Sequence, residues 1–277
     1  MEAKLAKLYA WYGTHARPKA PKRTPVHYQM AFEDISFPSS CNEKVCLRGW
    51  LIPVENPKAV VLLCHGVDAN ASCLLHKAKI LNEVGFSTLL FDFRANGRSD
   101  GAHGTLGSRE KNDVLGAIAY IKSRSDTKYL RIFALGESLG GSAIIRAAAE
   151  SVHIEAVVSE ATFATLEDAI LQRLAPLGKL GLKVYERLVH LAKTEYRVDI
   201  KDVSPEAVVA QISPRPILFI VCDWDILCSR KESERLYAAA KEPKERWISP
   251  RSLHTFSCFA NPKEYRKRVT EFFLKQI

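Results

Sequence analysis

The sequence has no apolar run near the roughly 20 residues that cross a bilayer, and its first 25 residues lack the continuous apolar segment of a secretory signal peptide. Its seven cysteines are an odd number, and no two of them form a C-x-x-C pair. This pattern argues against a disulfide framework and against a zinc site. We therefore expect a cytoplasmic protein with reduced cysteines and with no metal or other cofactor.

The formal net charge is +9, and its basic residues concentrate near both ends of the chain. We interpret them as a solvated surface and expect no nucleic-acid partner. An alternative hypothesis is peripheral contact with an anionic membrane, in which N-terminal basic residues act together with nearby apolar side chains. The residues concerned are Lys4, Lys7, Arg17, Lys19, Lys22 and Arg23, with Leu5, Leu8, Tyr9 and Trp11.

The order of elements predicts the fold. Residues 59–64 are an uninterrupted apolar run, which is typical of a strand buried on both faces of a parallel sheet. Strand-like and helix-like segments alternate from there, which indicates βαβ units. We predict an α/β protein whose mostly parallel sheet of about eight strands begins with an antiparallel pair and is flanked by helices.

The predicted organisation is a basic leader over residues 1–25 and a single domain over 26–277, with a helical insertion at about 162–205. The strands are predicted at 32–37, 45–54, 59–64, 87–92, 129–135, 154–159, 216–222 and 245–248. The helices are predicted at 73–84, 109–123, 139–150, 163–193, 231–240 and 262–275.

The strongest local motif is Gly136-Glu137-Ser138-Leu139-Gly140, a G-x-S-x-G pentapeptide between an apolar strand and an alanine-rich helix. Such a strand-to-helix turn is so sharp that only small residues fit two positions on either side of the serine. The turn leaves the serine hydroxyl exposed above the sheet. Ser138 is therefore the predicted nucleophile.

A serine nucleophile needs a base within hydrogen-bond reach. His254 lies in the loop between the last predicted strand and the last helix, where it can reach the elbow at the carboxyl end of the sheet. His76 and His103 also follow strand ends and are weaker alternatives. We predict His254 as the general base.

The base needs an acid to orient it, and two aspartates follow the strand at 216–222. Asp225 lies far enough into the loop to reach a histidine on the next loop, whereas Asp223 stands almost at the strand end. We favour Asp225 as the acid, keep Asp223 as the alternative and place Glu160 third.

The oxyanion formed during acyl transfer needs hydrogen-bond donors. The turn that starts at His65-Gly66 follows strand 59–64 directly. We predict that the backbone N–H groups of Val67 and Leu139 form the oxyanion hole. His65 itself is interpreted as a residue that braces the loop.

From about residue 30 onward the sequence resembles the α/β-hydrolase superfamily, because five blocks occur in the expected order. The resemblance implies that they are the oxyanion strand, a structural turn and the three catalytic positions. The blocks are His65-Gly66, Phe91-Asp92-Phe93-Arg94-Ala95-Asn96-Gly97-Arg98-Ser99, the Ser138 elbow, the Asp225 loop and the His254 loop.

The chain looks most like bacterial esterases, serine aminopeptidases and protein depalmitoylases. It departs from their pattern at Ala95, where glycine is usual, and at Cys222 and Cys228 around the acid loop. These departures concern the shapes of the loops and leave the three catalytic positions intact.

We expect a serine hydrolase that cleaves small carboxylic esters or thioesters through an acyl-enzyme. An aminopeptidase is the second hypothesis, and it would need an acidic group such as Glu160, Glu167 or Asp168 to hold the substrate amine. A binding scaffold without catalysis is the third. The leucine-rich insertion can line an acyl pocket, although its helical spacing favours packing onto the domain body.

Overall fold

A computed structural model describes residues 1–15, 20–41 and 44–277. It contains an eight-stranded sheet with the order β1-β2-β4-β3-β5-β6-β7-β8. β2 is antiparallel to both β1 and β4, and the remaining pairs are parallel. The strands are Glu33–Pro38, Cys46–Ile52, Val60–Cys64, Ser87–Phe91, Ile132–Glu137, Ile154–Glu160, Ile217–Cys222 and Lys244–Ser249.

This sheet confirms the predicted fold class. The strand β3 is buried along its whole length, as its uninterrupted apolar run predicted, and so are β4, β5 and β7. Helices cover both faces and complete two large apolar clusters, one on each side of the sheet. The α-helices are α1 Glu2–Thr14, α2 Leu75–Asn82, α3 Glu110–Ser123, α4 Leu139–Glu150, α5 Leu166–Leu174, α6 Lys179–Glu195, α7 Pro205–Val208, α8 Arg230–Ala239, α9 Ser257–Ala260 and α10 Pro262–Leu274.

The helical segment predicted as one stretch over 163–193 is divided into α5 and α6. Pro176 lies between them in a short 3-10 turn, and Gly178 adopts a φ of 55°. Proline removes a backbone donor, and glycine tolerates the left-handed conformation that ends a helix. The two helices can therefore pack against each other and form a separate apolar cluster.

The N-terminal segment contributes to that cluster. Ala6 and Ala10 of α1 are buried in it, and their small side chains at adjacent turns let α1 approach α6 closely. Leu5 and Tyr9 pack at its edge, while the side chains of Leu8 and Trp11 remain exposed. Of the four apolar side chains considered above for a membrane contact, Leu8 and Trp11 therefore remain available. Arg17 and Lys19, two of the basic residues in that hypothesis, lie outside the described residues.

No helix within the described residues has the length and apolar character that crossing a membrane requires.

Ala95, which replaces a glycine common in similar proteins, adopts a φ of 59°. That left-handed conformation explains why glycine is usual there.

The C-terminal end of α6 generates a prediction about stability. Arg197 follows the helix with a φ of 53°, and its neighbour Val198 donates its N–H to the Ala192 carbonyl at 2.9 Å. A glycine at this position avoids the steric cost of a Cβ in the left-handed region. We expect Arg197→Gly to raise the free energy of unfolding by about 0.5–1 kcal/mol in urea denaturation.

Arg197→Ala is the matched control, because it removes the same exposed side chain and keeps the Cβ. It should leave the free energy of unfolding within about 0.3 kcal/mol of the wild-type value. A gain of equal size in both variants would mean that removal of the arginine, rather than relief of backbone strain, is responsible.

Candidate active site

Ser138 stands at the turn between β5 and α4 with φ 53° and ψ −115°, a strained conformation for a residue other than glycine. The turn is tight enough to require the flanking glycines. A Cβ on Gly140 would lie 2.2 Å from the Cys64 carbonyl oxygen, and one on Gly136 would lie 2.5 Å from Gly140. The G-x-S-x-G motif is therefore a steric requirement of this elbow.

His254 and Asp225 meet across two neighbouring loops. The Nδ1 atom of His254 lies 2.7 Å from Oδ2 of Asp225, whose side chain is almost fully buried. The other carboxylate oxygen accepts the backbone N–H groups of Leu227 and Cys228 at 2.8 and 2.9 Å. Because a carboxylate only accepts, Nδ1 of His254 is the donor in this contact, and Nε2 has no hydrogen-bond partner within residues 1–15, 20–41 and 44–277.

Asp223, the alternative acid, points elsewhere. Its carboxylate lies 3.6 Å from the guanidinium of Arg230, and its side chain is 35% exposed. Its backbone joins the two loops instead, since its N–H donates to the Ser249 carbonyl at 3.1 Å. Asp223 thus braces the loop that carries Asp225.

The other histidines considered above occupy different environments. His65 is buried, with Nε2 accepting the Phe93 N–H at 3.0 Å and Nδ1 2.7 Å from the Gly66 carbonyl, so both ring nitrogens are engaged. His76 packs against a phenylalanine, and burial lowers its pKa to about 4. His103 lies beside the C-terminal end of α6, against Tyr196.

The two predicted oxyanion donors lie beside the serine. Leu139 follows Ser138 directly, and a Cβ on Gly66 would lie 3.5 Å from the Ser138 Cβ, so the Gly66–Val67 turn approaches the elbow closely. Neither the Val67 N–H nor the Leu139 N–H has a hydrogen-bond acceptor among residues 1–15, 20–41 and 44–277. Two unpaired donors therefore flank the nucleophile position.

A cavity of about 690 Å³ opens over the elbow. Ser138, Leu139, Val67 and His254 all line it. Most of the remaining lining is apolar and comes from α1, from α5 and α6, and from the loop after His254. The helices α5 and α6 thus both line the cavity, through residues such as Leu166 and Ile170, and pack within their own cluster.

An ion cluster lies beneath the elbow. The ammonium of Lys77 on α2 donates to the carboxylates of Glu137 and Glu160, and all three side chains are buried or nearly so. Glu160 also accepts hydrogen bonds from Ser257 and, at 3.3 Å, from Tyr265. Burial alone would lower the pKa of Lys77, but the two carboxylates outweigh it and raise that pKa.

The two cysteines of the acid loop are both buried. Burial raises the pKa of the Cys222 thiol to about 12 and raises that of Cys228 as well, so neither is a thiolate near neutral pH. The Ser138 side chain is close enough to the Cys228 thiol to oppose slightly the effect of burial on the pKa of that thiol. A small side chain at position 228 therefore fits between the acid and the nucleophile.

The sequence patterns described above predicted neither the ion cluster nor the part that α1 takes in the cavity. Lys77 carried a usable signal, because it lies at helical spacing from Leu74 and Leu81, on a face that must be buried. A buried lysine requires a carboxylate partner, and Glu137 beside the nucleophile was an available one.

The model of a known family, described as "Serine aminopeptidase, S33", matches residues 55–212, which are more than half of the chain. Ser138, Val67 and Leu139 fall inside the match, whereas Asp225 and His254 lie beyond its end. YfhR of Salmonella typhi is 29% identical over 238 residues, covering 80% of this chain and 74% of its own length. YqkD of Bacillus subtilis is 28% identical over 232 residues, covering 82% and 74%.

Solved structures agree with the fold. The esterase Pf2001 of Pyrococcus furiosus superposes with a TM-score of 0.77 at 22% identity, covering 94% of this chain and 98% of its own. Est1E of Butyrivibrio proteoclasticus, solved with ferulic acid bound, gives 0.66 at 20% identity, covering 87% and 98%. At such identities these matches show the fold alone. The family match, with the sheet described above, places the chain among the α/β-hydrolases, and it belongs to the serine aminopeptidase S33 family.

Proposed function

We propose that this hydrolase cleaves small carboxylic esters or thioesters. Ser138 is the nucleophile, His254 the general base and Asp225 the acid that orients the histidine. Val67 and Leu139 donate their backbone N–H groups to the oxyanion. The observation that carries the proposal is that Ser138, His254 and both unpaired N–H groups border one cavity, while Asp225 holds His254 from behind.

The reaction has two halves. In the first, Nε2 of His254 takes the Ser138 proton while the serine oxygen attacks the carbonyl carbon, and the oxyanion then collapses to expel the alcohol or thiol protonated by the same histidine. In the second half, His254 activates a water that hydrolyses the acyl-enzyme. Asp225 supports both halves because it stabilises the imidazolium formed each time.

The lining of the cavity favours esters over peptides with a free amino terminus. An aminopeptidase needs a carboxylate free to hold the substrate amine, but Glu160 is fully buried in the ion cluster. Glu167 accepts the Tyr185 hydroxyl at 2.6 Å, and Asp168 is paired with Arg235. Among the described lining residues, Glu137 is the one carboxylate, and it is already bound to Lys77, which also binds Glu160.

The names of two proteins of similar fold also favour an ester substrate. The Pyrococcus protein is called an esterase, and Est1E binds ferulic acid, an aromatic carboxylic acid. An ester bond to such an acid would suit the predominantly apolar cavity described above.

Labelling with a fluorophosphonate probe tests the nucleophile. We expect the wild-type protein to be labelled in a single stoichiometric step at Ser138, because the hydroxyl is activated by His254. Ser138→Ala should remain unlabelled and should lose at least about 10⁴-fold in kcat for p-nitrophenyl butyrate.

Ser142, on the first turn of α4, offers a control, and Ser142→Ala should still be labelled. Circular dichroism would verify that each variant is folded. A folded wild-type protein that takes up no probe and cleaves no ester would refute the proposed function.

Replacement of the two aspartates separates their roles. We expect Asp225→Asn to lower kcat by about 10⁴-fold, because an amide cannot hold the correct tautomer of His254. Asp223→Asn, its neighbour and matched control, should change kcat by no more than about threefold, since it loses one exposed ion pair. Steady-state kinetics with a p-nitrophenyl ester measures both, and a large loss at position 223 alone would move the acid to Asp223.

A further inference from the structure

The face of α5 that borders the cavity ends in a cation. Leu166, Ala169, Ile170 and Arg173 follow the spacing of one helical stripe, and all four line the cavity. Because the first three are apolar, the stripe changes from apolar to positively charged toward the exposed Arg173. The acidic residues of α5 lie off this stripe and are bound to Tyr185 and Arg235.

A second element brings two more cations to the same cavity. Lys22 and Arg23 lie in the segment after α1, are exposed and border the cavity together with Tyr28. Arg23 reaches the Tyr28 hydroxyl at 3.5 Å. Within the described parts of the chain, no carboxylate forms an ion pair with Lys22, Arg23 or Arg173.

The charge of the cavity is therefore unbalanced. Glu137 is the carboxylate of its described lining, and it is paired with buried Lys77. Three exposed cations remain without a compensating anion. An apolar cavity with low-dielectric walls and charges of one sign attracts ligands of the opposite sign.

Burial separates the lining of the cavity into two zones, which we call the floor and the mouth. Ser138 is 7% exposed and belongs to the buried floor, whereas the three cations belong to the exposed mouth. Leu166, Ala169 and Ile170 of α5 are buried and line the same cavity on the stripe that ends at Arg173. A ligand that contacts both must have a scissile carbonyl at one end, an apolar segment and a charged group at the other.

We infer that the hydrolase is selective for esters that carry an anionic group, a carboxylate or a phosphate, which Lys22, Arg23 and Arg173 bind at the cavity mouth. This substrate class rests on the proposed ester hydrolysis and specifies its substrate further. The three cations are specificity-determining residues. They lie at the opposite end of the substrate from the bond that breaks.

Four p-nitrophenyl esters of equal chain length test the inference. They are the octanoate, the hydrogen suberate, the ω-phosphonooctanoate and the ω-aminooctanoate, so that the distal group is neutral, carboxylate, phosphonate or ammonium. We expect kcat/KM for at least one anionic ester to exceed that of the ω-amino ester by about tenfold or more, a ratio that falls in high salt. The two anionic esters compared with each other distinguish a carboxylate from a phosphate partner.

The triple variant Lys22→Gln/Arg23→Gln/Arg173→Gln should lose the preference, so that the ratio of anionic to neutral ester approaches one. Each ratio compares the kcat/KM values of two esters measured with the same enzyme preparation. It therefore does not depend on the fraction of the protein that is folded. Lys4→Gln/Lys7→Gln/Lys183→Gln is the matched control, because it removes three exposed charges that do not line the cavity. This control should keep the wild-type ratio. The single variant Arg173→Lys should retain more of the preference for anionic esters than Arg173→Gln does.

Equal kcat/KM values for the four esters would overturn the inference and leave the ester hydrolase intact. Retention of the preference by the triple variant would also overturn it. A third result would overturn it as well: the protein sediments with phosphatidylglycerol vesicles, this sedimentation depends on the three cations, and no preference among soluble esters is found. The cations would then bind a membrane surface. Absence of hydrolysis of all four esters, together with absence of probe labelling, would instead refute the proposed function.

Discussion

The buried ammonium of Lys77 lies between the carboxylates of Glu137 and Glu160, at the ends of two adjacent parallel strands. An isolated ion in such a place would be prohibitively costly, so each member of the cluster depends on the others remaining in position. Removal of one partner from a buried ion pair typically costs about 3–5 kcal/mol. The cluster therefore holds α2 against the carboxyl edge of β5 and β6, directly below the turn that carries Ser138.

The catalytic loops are anchored to this cluster and to one another. The Glu160 carbonyl accepts the Ser138 N–H at 2.8 Å, and its carboxylate accepts the hydroxyl of Ser257, three residues after His254. Trp224, beside Asp225, donates its N–H to the Ser252 carbonyl on the histidine loop at 2.9 Å. The proposed nucleophile, base and acid thus lie on three loops with little freedom relative to each other, which is what a preorganised catalytic site would require.

The sequence was sufficient for the sheet, and it predicted which loops carry the proposed site, because both predictions depend on local signals. Ser138 is marked by glycines that the elbow requires sterically, and His254 and Asp225 follow strands whose carboxyl ends must meet. The contribution of α1 could not be inferred in the same way. Whether Ala6 and Ala10 face water or another helix depends on a partner nearly 180 residues away, and residues so distant leave no local pattern.

The same distinction separates the proposed chemistry of the site from its proposed selectivity. The floor of the cavity is built by strand ends and by the ion cluster, so a change there disturbs folding and catalysis together. The mouth is built by α5 and the segment after α1, whose exposed cations take no part in the core. Lys77 shares its single ammonium between Glu137 and Glu160, so the floor keeps negative charge, and the positive charge of the lining lies in the exposed cations. The charge that would select an anionic substrate is therefore carried by residues that can vary without a change in the proposed catalytic geometry.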